Sequence, residues 1–166
     1  MSKKSEKLDT EPCTALLYDP TIVSWETIRH DILNIEHATF PSKPFDEKDL
    51  EAFFKNKSSV IVFLKAGTSI VGYTLGHPDQ EHYKSLYIFT TGIEERFQGK
   101  GHVAELMRTL EHEAKKRGFT HITRDARIDN GYADAISRHY GSRIDSLQTS
   151  EHDSPWGRQR FFKIAL

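Results

Sequence analysis

The stretch from Leu86 to Gly118 restricts this chain most. An apolar run, Leu86-Tyr87-Ile88-Phe89, leads through Thr90, Thr91, Gly92 and Ile93 to a compact turn, Gln98-Gly99-Lys100-Gly101. An amphipathic segment follows, with Val103, Leu106, Met107, Leu110 and Ala114 on one helical face. It stops at Lys115-Lys116-Arg117 and Gly118, cations in the last turn and a glycine just past it. Strand, glycine turn and helix together make an anion-binding arrangement. The first N–H groups of a helix lack partners within it, and glycines let a phosphate approach them. The turn is not a P-loop, because the spacing ending in Lys-Ser/Thr is missing. Nor is it a dinucleotide fingerprint, since the three-glycine spacing and an opening βαβ unit are absent.

On either side, the periodicity predicts a single layered domain. Thr14–Tyr18 reads as a strand, followed by a helix begun at Ser24 with Trp25, Ile28, Ile32 and Ile35 on one side. Pro41 and Pro44 interrupt it, and Asp46 caps a short helix over 47–54. Ser59–Lys65 and Ser69–Leu75 flank Ala66-Gly67-Thr68 as a hairpin, and Ser85–Thr91 joins the same sheet. His121–Arg127 reads as a strand and Asn130–His139 as a helix. Arg143–Gln148 and Arg160–Ala165 read as a last strand pair, joined by a polar loop with Pro155, Trp156 and Gly157. The expected fold is α/β, a mixed central sheet of six to seven strands with helices on both faces. Residues 1–13 read as a disordered tail and 14–166 as one domain. A chain of 166 residues is long enough for a sizeable core.

Composition narrows the function classes. A net charge of −1 removes the broad electrostatic case for nucleic acid or membrane partners. No apolar run approaches the ~20 residues of a membrane span. The polar start lacks a signal-peptide core. One cysteine, Cys13, rules out an internal disulfide framework and points to a reducing, cytoplasmic setting. The nine histidines show no metal-ligand spacing, so no metal is expected.

The turn and its surroundings resemble the acetyl-CoA-binding segment of the GNAT superfamily of N-acetyltransferases, whose motif is Gln/Arg-x-x-Gly-x-Gly/Ala at a helix start. The match lies at Ile93, Phe97, Gln98, Gly99 and Gly101. The chain departs at Glu95, where Pro is common, and at Val103, where Gly or Ala is usual. A second family pattern, Asn-x-x-Ala-x-x-apolar-Tyr-x-x-x-Gly-Phe, matches at Asn130, Ala133, Ile136 and Gly141, with Ser137 and Ser142 at the Tyr and Phe positions. The element order agrees over residues 14–166. Ile35-Glu36-His37-Ala38-Thr39-Phe40-Pro41 is similar to the acceptor-groove segment of ribosomal-protein alanine acetyltransferases.

This resemblance implies acetyl-CoA as co-substrate and a primary amine as acceptor, on a small molecule or a peptide N-terminus. A homodimer is left open. The backbone of Thr91, Gly92 and Ile93 would pair with the pantetheine arm as an added strand. The N–H groups of Gln98, Gly99, Lys100, Gly101, His102 and Val103 would hold the pyrophosphate, and Asn130 would anchor the cofactor side of the next helix. Attack requires a neutral amine, and a lysine-like amine of pKa ~10.4 is neutral in only about one part in two thousand at pH 7. The family position for a carboxylate base, counted back from Asn130, is Asp125, which otherwise would pair with Arg124 or Arg127. Ser85 stands where other family members carry a glutamate base and cannot serve. His77, His82 and Glu36 are weaker candidates. The departing CoA thiolate is often protonated by the tyrosine that is Ser137 here. A thiol of pKa ~8.5 limits that contribution to about 2 kcal/mol, so Tyr140, Tyr132 or Ser137 through water could replace it. Glu36, Phe40 and Trp156 are the expected acceptor-side residues. The polarising N–H is expected near Ile93. Two rival readings are an acyltransferase for another acyl-CoA and a non-catalytic CoA-binding sensor, the latter favoured by Val103, Ser137 and Ser142.

Overall fold

The computed structural model describes residues 12–166; residues 1–11, which hold most of the expected tail, lie outside them. The elements are β1 (Cys13–Leu17), α1 (Trp25–Thr39), α2 (Glu47–Lys55), β2 (Val60–Ala66), β3 (Ser69–Pro78), β4 (Ser85–Ile93), α3 (His102–Lys116), β5 (His121–Arg127), α4 (Tyr132–Tyr140), β6 (Ser150–Ser154) and β7 (Gly157–Ala165). Seven strands form one sheet in the order β1-β2-β3-β4-β5-β7-β6. Every neighbouring pair is antiparallel except β4–β5. A parallel neighbour needs a crossover, and α3 supplies it.

Period-two burial gives the sheet two apolar faces. On one, Val60, Val62, Leu64, Leu86, Ile122 and Phe162 pack against Leu106, Leu110 and Ala114 of α3 and Ala133 and Ile136 of α4. On the other, Ile61, Phe63, Ile70, Tyr73 and Leu75 pack against α1 and α2 through Trp25, Ile28, Ile32, Ile35, Leu50 and Phe54. The helix starts use local chemistry. Asp46 accepts from the Lys48 N–H at α2, whereas the Ser24 hydroxyl at α1 engages Thr27 Oγ1 rather than a backbone N–H.

The β4–β5 pair shapes the functional region. It has four rungs, from Ser85 opposite His121 to Ile88 opposite Arg124. Beyond them β4 runs on to Ile93 and β5 to Arg127 with no shared rung, so the strands splay. The cause lies on the other edge of β4. There Leu75 opposes Thr90 but Gly76 opposes Ile88, leaving Phe89 as an extra residue. A bulge bends its strand, and this one falls where β4 leaves β5.

Two sequence expectations are corrected. Arg143–Gln148 is not a strand. It forms short 3-10 turns over Gly141–Arg143 and Ser146–Gln148, and it meets β7 only through a bridge from Ile144 to Ile164, the Asp145 N–H on the Lys163 carbonyl and the Arg143 side chain on the Ala165 carbonyl. The Asp145 side chain accepts from the Leu147 N–H and its carbonyl from the Gln148 N–H, so this turn closes on itself, and Leu147 is 91% exposed. The partner of β7 is instead Ser150–Ser154, read from sequence as loop because its residues are all polar. As an outer strand it buries none of them fully, so no apolar alternation marks it. The connection to β7 is the two-residue turn Pro155-Trp156.

Candidate active site

The splayed strands open a cleft of about 880 Å³ that reaches from the start of α3 to the α1–α2 loop. One end of it is the glycine turn. Gly99 and Gly101 have φ of +73° and +82°, and a Cβ at either would meet nothing within 4 Å. Glycine is needed there for backbone conformation, and the open space leaves the turn accessible. Gly101 occupies the N-cap of α3 and no side chain caps that end, so its first N–H groups face the cleft unsatisfied. The Gln98 side-chain amide donates to the Ile93 carbonyl (2.9 Å), tying the turn to the end of β4.

The expected cofactor residues divide in two. Thr91, Ile93, Gln98, Gly99, Gly101, His102, Val103 and Asn130 line the cleft; Lys100 and Gly92 do not. Lys100 lies over the Phe97 ring, 5.6 Å from its centre. Gly92 is covered by α1: a Cβ there would come within 2.8 Å of Thr39 Oγ1 and 3.0 Å of Ile35 Cγ2. Val103 is 41% exposed. Asn130 accepts from the Tyr132 N–H (3.0 Å), fixing the entry to α4.

Asp125 sits at a junction. A second cavity, of about 690 Å³, opens beside the cleft on the α2 side of the sheet and shares Tyr87, Phe89 and Asp125 with it. Asp125 Oδ2 accepts a 2.5 Å bond from the Tyr87 hydroxyl. Its Oδ1 is buried without a hydrogen bond, and His152 Nε2 stands 3.3 Å away, within ion-pair range when that ring is protonated. Burial first, then the bond to Asp125 and its charge, push the Tyr87 phenol well above its ordinary pKa, so it stays a donor. Among the described residues the second cavity carries Asp79, Glu81 and Asp125 but no Lys or Arg. Its aromatic walls include Phe53, Phe89 and Phe161. His82 stacks on Phe161 (5.0 Å) and meets Asp79 at 3.0 Å, and His77 contacts the rings of Phe53 and Phe89.

Glu36 has a different environment. It is fully buried. Its Oε2 accepts from the hydroxyls of Tyr73 (2.5 Å) and Thr90 (3.2 Å), and its Oε1 from the Phe45 N–H (3.3 Å). It therefore knits α1 to β3, β4 and the α1–α2 loop while lining the cleft. Phe40 and Trp156 also line it, and the Trp156 indole donates to the Lys43 carbonyl (3.2 Å), so the β6–β7 turn meets the α1–α2 loop.

On the leaving-group side, Ser137 donates to the Ala133 carbonyl of its own helix (3.1 Å) and lies outside the cleft lining. Tyr140 is buried, away from that lining. Burial, and then nearby Glu111, push its phenol up to about 12. Tyr132 does line the cleft, and its hydroxyl accepts from Arg124 (3.0 Å). Sequence reasoning passed over Tyr87, His152 and Asp79, and weighed Arg124 only as a partner for Asp125. A signal for Arg124 existed: it shares the strand phase of Ile122 and Ala126, a charge where the pattern demands apolar residues. Among the described residues no three His, Cys, Asp or Glu side chains converge as a metal site requires.

A half-open parallel pair beside a glycine-capped helix start is the arrangement that the sequence resemblance leads one to expect. The family model described as Acetyltransferase (GNAT) family matches residues 25–140, and the chain belongs to that family. Among solved structures, the chain is similar to the ribosomal-protein-S18-alanine N-acetyltransferase from Escherichia coli, at 18% identity and a TM-score of 0.66 over 93% of each chain. It is similar to an aminoglycoside 6'-acetyltransferase type Ii at 13% identity and 0.73, covering 91% of this chain and 96% of that one. A NatC complex bound to Gag peptide and CoA matches at 13% identity and 0.71, covering 93% and 98%. These likenesses establish the shared fold. No curated protein sequence matches the chain.

Proposed function

We propose that this chain transfers an acetyl group from acetyl-CoA to a primary amine by direct attack of the neutral amine on the thioester. The observation carrying this reading is the position of Asp125 at the junction where a cleft suited to a nucleotide thioester meets a second, acidic and aromatic cavity. The residues fit the cofactor: an uncapped helix start with two left-handed glycines suits a pyrophosphate, and the unzipped edge of β4 at Thr91 and Ile93 suits the strand-like amides of a pantetheine arm. When bound, the thioester supplies the activated acyl carbon.

The chain's own groups supply the rest. Asp125 takes the proton that the amine nitrogen gives up, directly or through a water, while Tyr87 holds Oδ2 and fixes the carboxylate plane. Phe89, the bulge residue without a partner on β3 or β5, offers the backbone N–H that polarises the acyl oxygen, in place of the position near Ile93 suggested by the motif. Ile93 pairs with Gly72 and its carbonyl holds Gln98. The three carboxylates that line the second cavity, with no Lys or Arg beside them among the described residues, favour a cationic acceptor before deprotonation. Compact aromatic walls support a small amine over a peptide N-terminus, and Trp156–Lys43 contact across the cleft mouth supports the same choice. A single cysteine is in keeping with a reducing, cytoplasmic setting. No helix among the described residues is long and apolar enough to cross a membrane.

The test is thiol release from acetyl-CoA with a panel of small amines, polyamines, amino acids and N-terminal peptides. Turnover with small amines that falls sharply in Asp125→Asn supports the reading. CoA binding without turnover on any amine would instead support the sensor, the reading that Ser137, bonded into its own helix, favours.

A further inference from the structure

Arg124 is 5% exposed and carries a full charge into the interior. Among the described residues it has no acidic partner. One terminal nitrogen donates to the Tyr132 hydroxyl (3.0 Å), its guanidinium stands 5.3 Å from the Tyr132 ring centre, and its Nε is buried with no hydrogen bond. A buried cation in this condition is costly unless an anion joins it. Arg124 belongs to the last β4–β5 rung, opposite Ile88, so it lies at the apex where the strands begin to part, and it lines the cleft with Tyr132. Because the Tyr132 oxygen accepts from the guanidinium, its own O–H is directed elsewhere, and the open side is the cleft.

We infer that Arg124 and Tyr132 form the seat for the sulfur of the departing CoA thiolate, replacing the function of the tyrosine that Ser137 lacks. This rests on the acetyl-CoA reading above. In the step, the amine nitrogen bonds to the acyl carbon, the carbon–sulfur bond breaks, and its electron pair stays on sulfur. The amine proton goes to Asp125 and then to solvent. The Tyr132 O–H donates a hydrogen bond to the thiolate, which takes its proton from solvent on release. Tyr132 touches the reacting atom; Arg124 is a positioning residue that holds the phenol oxygen and adds charge behind it. A non-catalytic CoA sensor has no need of this arrangement.

The experiment compares calorimetric binding of CoA and desulfo-CoA at about pH 9, where a thiol of ordinary pKa ~8.5 is largely ionised. The unaltered chain should prefer CoA about tenfold. Tyr132→Phe and Arg124→Met should both abolish the preference while leaving desulfo-CoA affinity within about twofold. Tyr132→Phe should also lower kcat by no more than about thirtyfold, the ceiling for a thiol ~1.5 above neutral, with KM for acetyl-CoA little changed. Should Arg124→Met fail to fold, Tyr132→Phe alone decides. Equal binding of CoA and desulfo-CoA by the unaltered chain overturns this inference and spares the acetyl-CoA reading. So does a preference that survives Tyr132→Phe. A strong preference for succinyl-CoA over acetyl-CoA, lost in Arg124→Met, would assign the cation to an acyl carboxylate and overturn it too. Failure of both CoA and desulfo-CoA to bind overturns the inference and the reading beneath it together.

Discussion

The two halves of the β4–β5 pair behave as different materials. From Ser85 to Ile88 the strands are zipped, and Leu86 and Ile122 are fully buried between α3 and the sheet. From Phe89 and Asp125 onward the same strands part, and the cleft faces glycines, hydroxyls and charges. Each half contains a strand phase directed at the helices. In the closed half that phase is apolar, whereas at the hinge it carries Arg124. The two carboxylates below the wedge repeat the contrast. Glu36 has three donors and serves the scaffold, and Asp125 has one oxygen held and the other buried without a hydrogen bond. A buried polar group that is fully satisfied fixes structure, and one left incomplete is available for chemistry.

Substitutions at the two carboxylates test this contrast most severely. Asp125→Asn should lower kcat for amine acetylation by about 10²–10⁴-fold while the melting temperature stays near that of the parent. A parallel loss of stability would mean that Asp125 is scaffold. Glu36→Ala should do the reverse, costing about 3 kcal/mol or more in denaturant unfolding, because it strands the Tyr73 and Thr90 hydroxyls and the Phe45 N–H. In the zipped half, Leu86→Ala should cost about 2–5 kcal/mol with CoA affinity nearly unchanged, as for a cavity away from the site. At the open end, Gly101→Ala meets no neighbour but forces a side chain to φ +82°. It should therefore cost about 1 kcal/mol in stability and also weaken CoA binding.

The smallest effect concerns alkali. Burial raises the phenols of Tyr73, Tyr87 and Tyr140, with Glu36, Asp125 and Glu111 respectively adding to it. A folded-state pKa above the unfolded value makes a contribution that is whole below about pH 10 and is lost as pH rises beyond it. Stability should thus be flat near neutrality and decline above pH 10. Ultraviolet titration should find these phenols ionising only as the chain unfolds. A smooth titration of all six tyrosines near pH 10 in the folded state would contradict their burial.

Much of this molecule was legible in its sequence. Helix faces, hairpin and glycine turn depend on residues close in the chain, and period and turn chemistry report them directly. Polar β6 was not legible, because an outer strand buries too little to leave a pattern, and Arg143–Gln148 misled because its turn closes on Asp145. The family resemblance singled out Asp125 through its distance from Asn130 but not the groups around it: Tyr87 and His152 come from strands far away in the chain. Sequence alone determined the glycine-capped start of α3, since only glycine accepts those left-handed angles cheaply. Tertiary structure decided which groups share the cleft. The strands part at the Phe89 bulge, and the packing of α4 keeps Ser137 and Tyr140 out of the lining while Tyr132 and a buried Arg124 stand beside it. Such placement depends on the packing of distant segments, which no local pattern encodes.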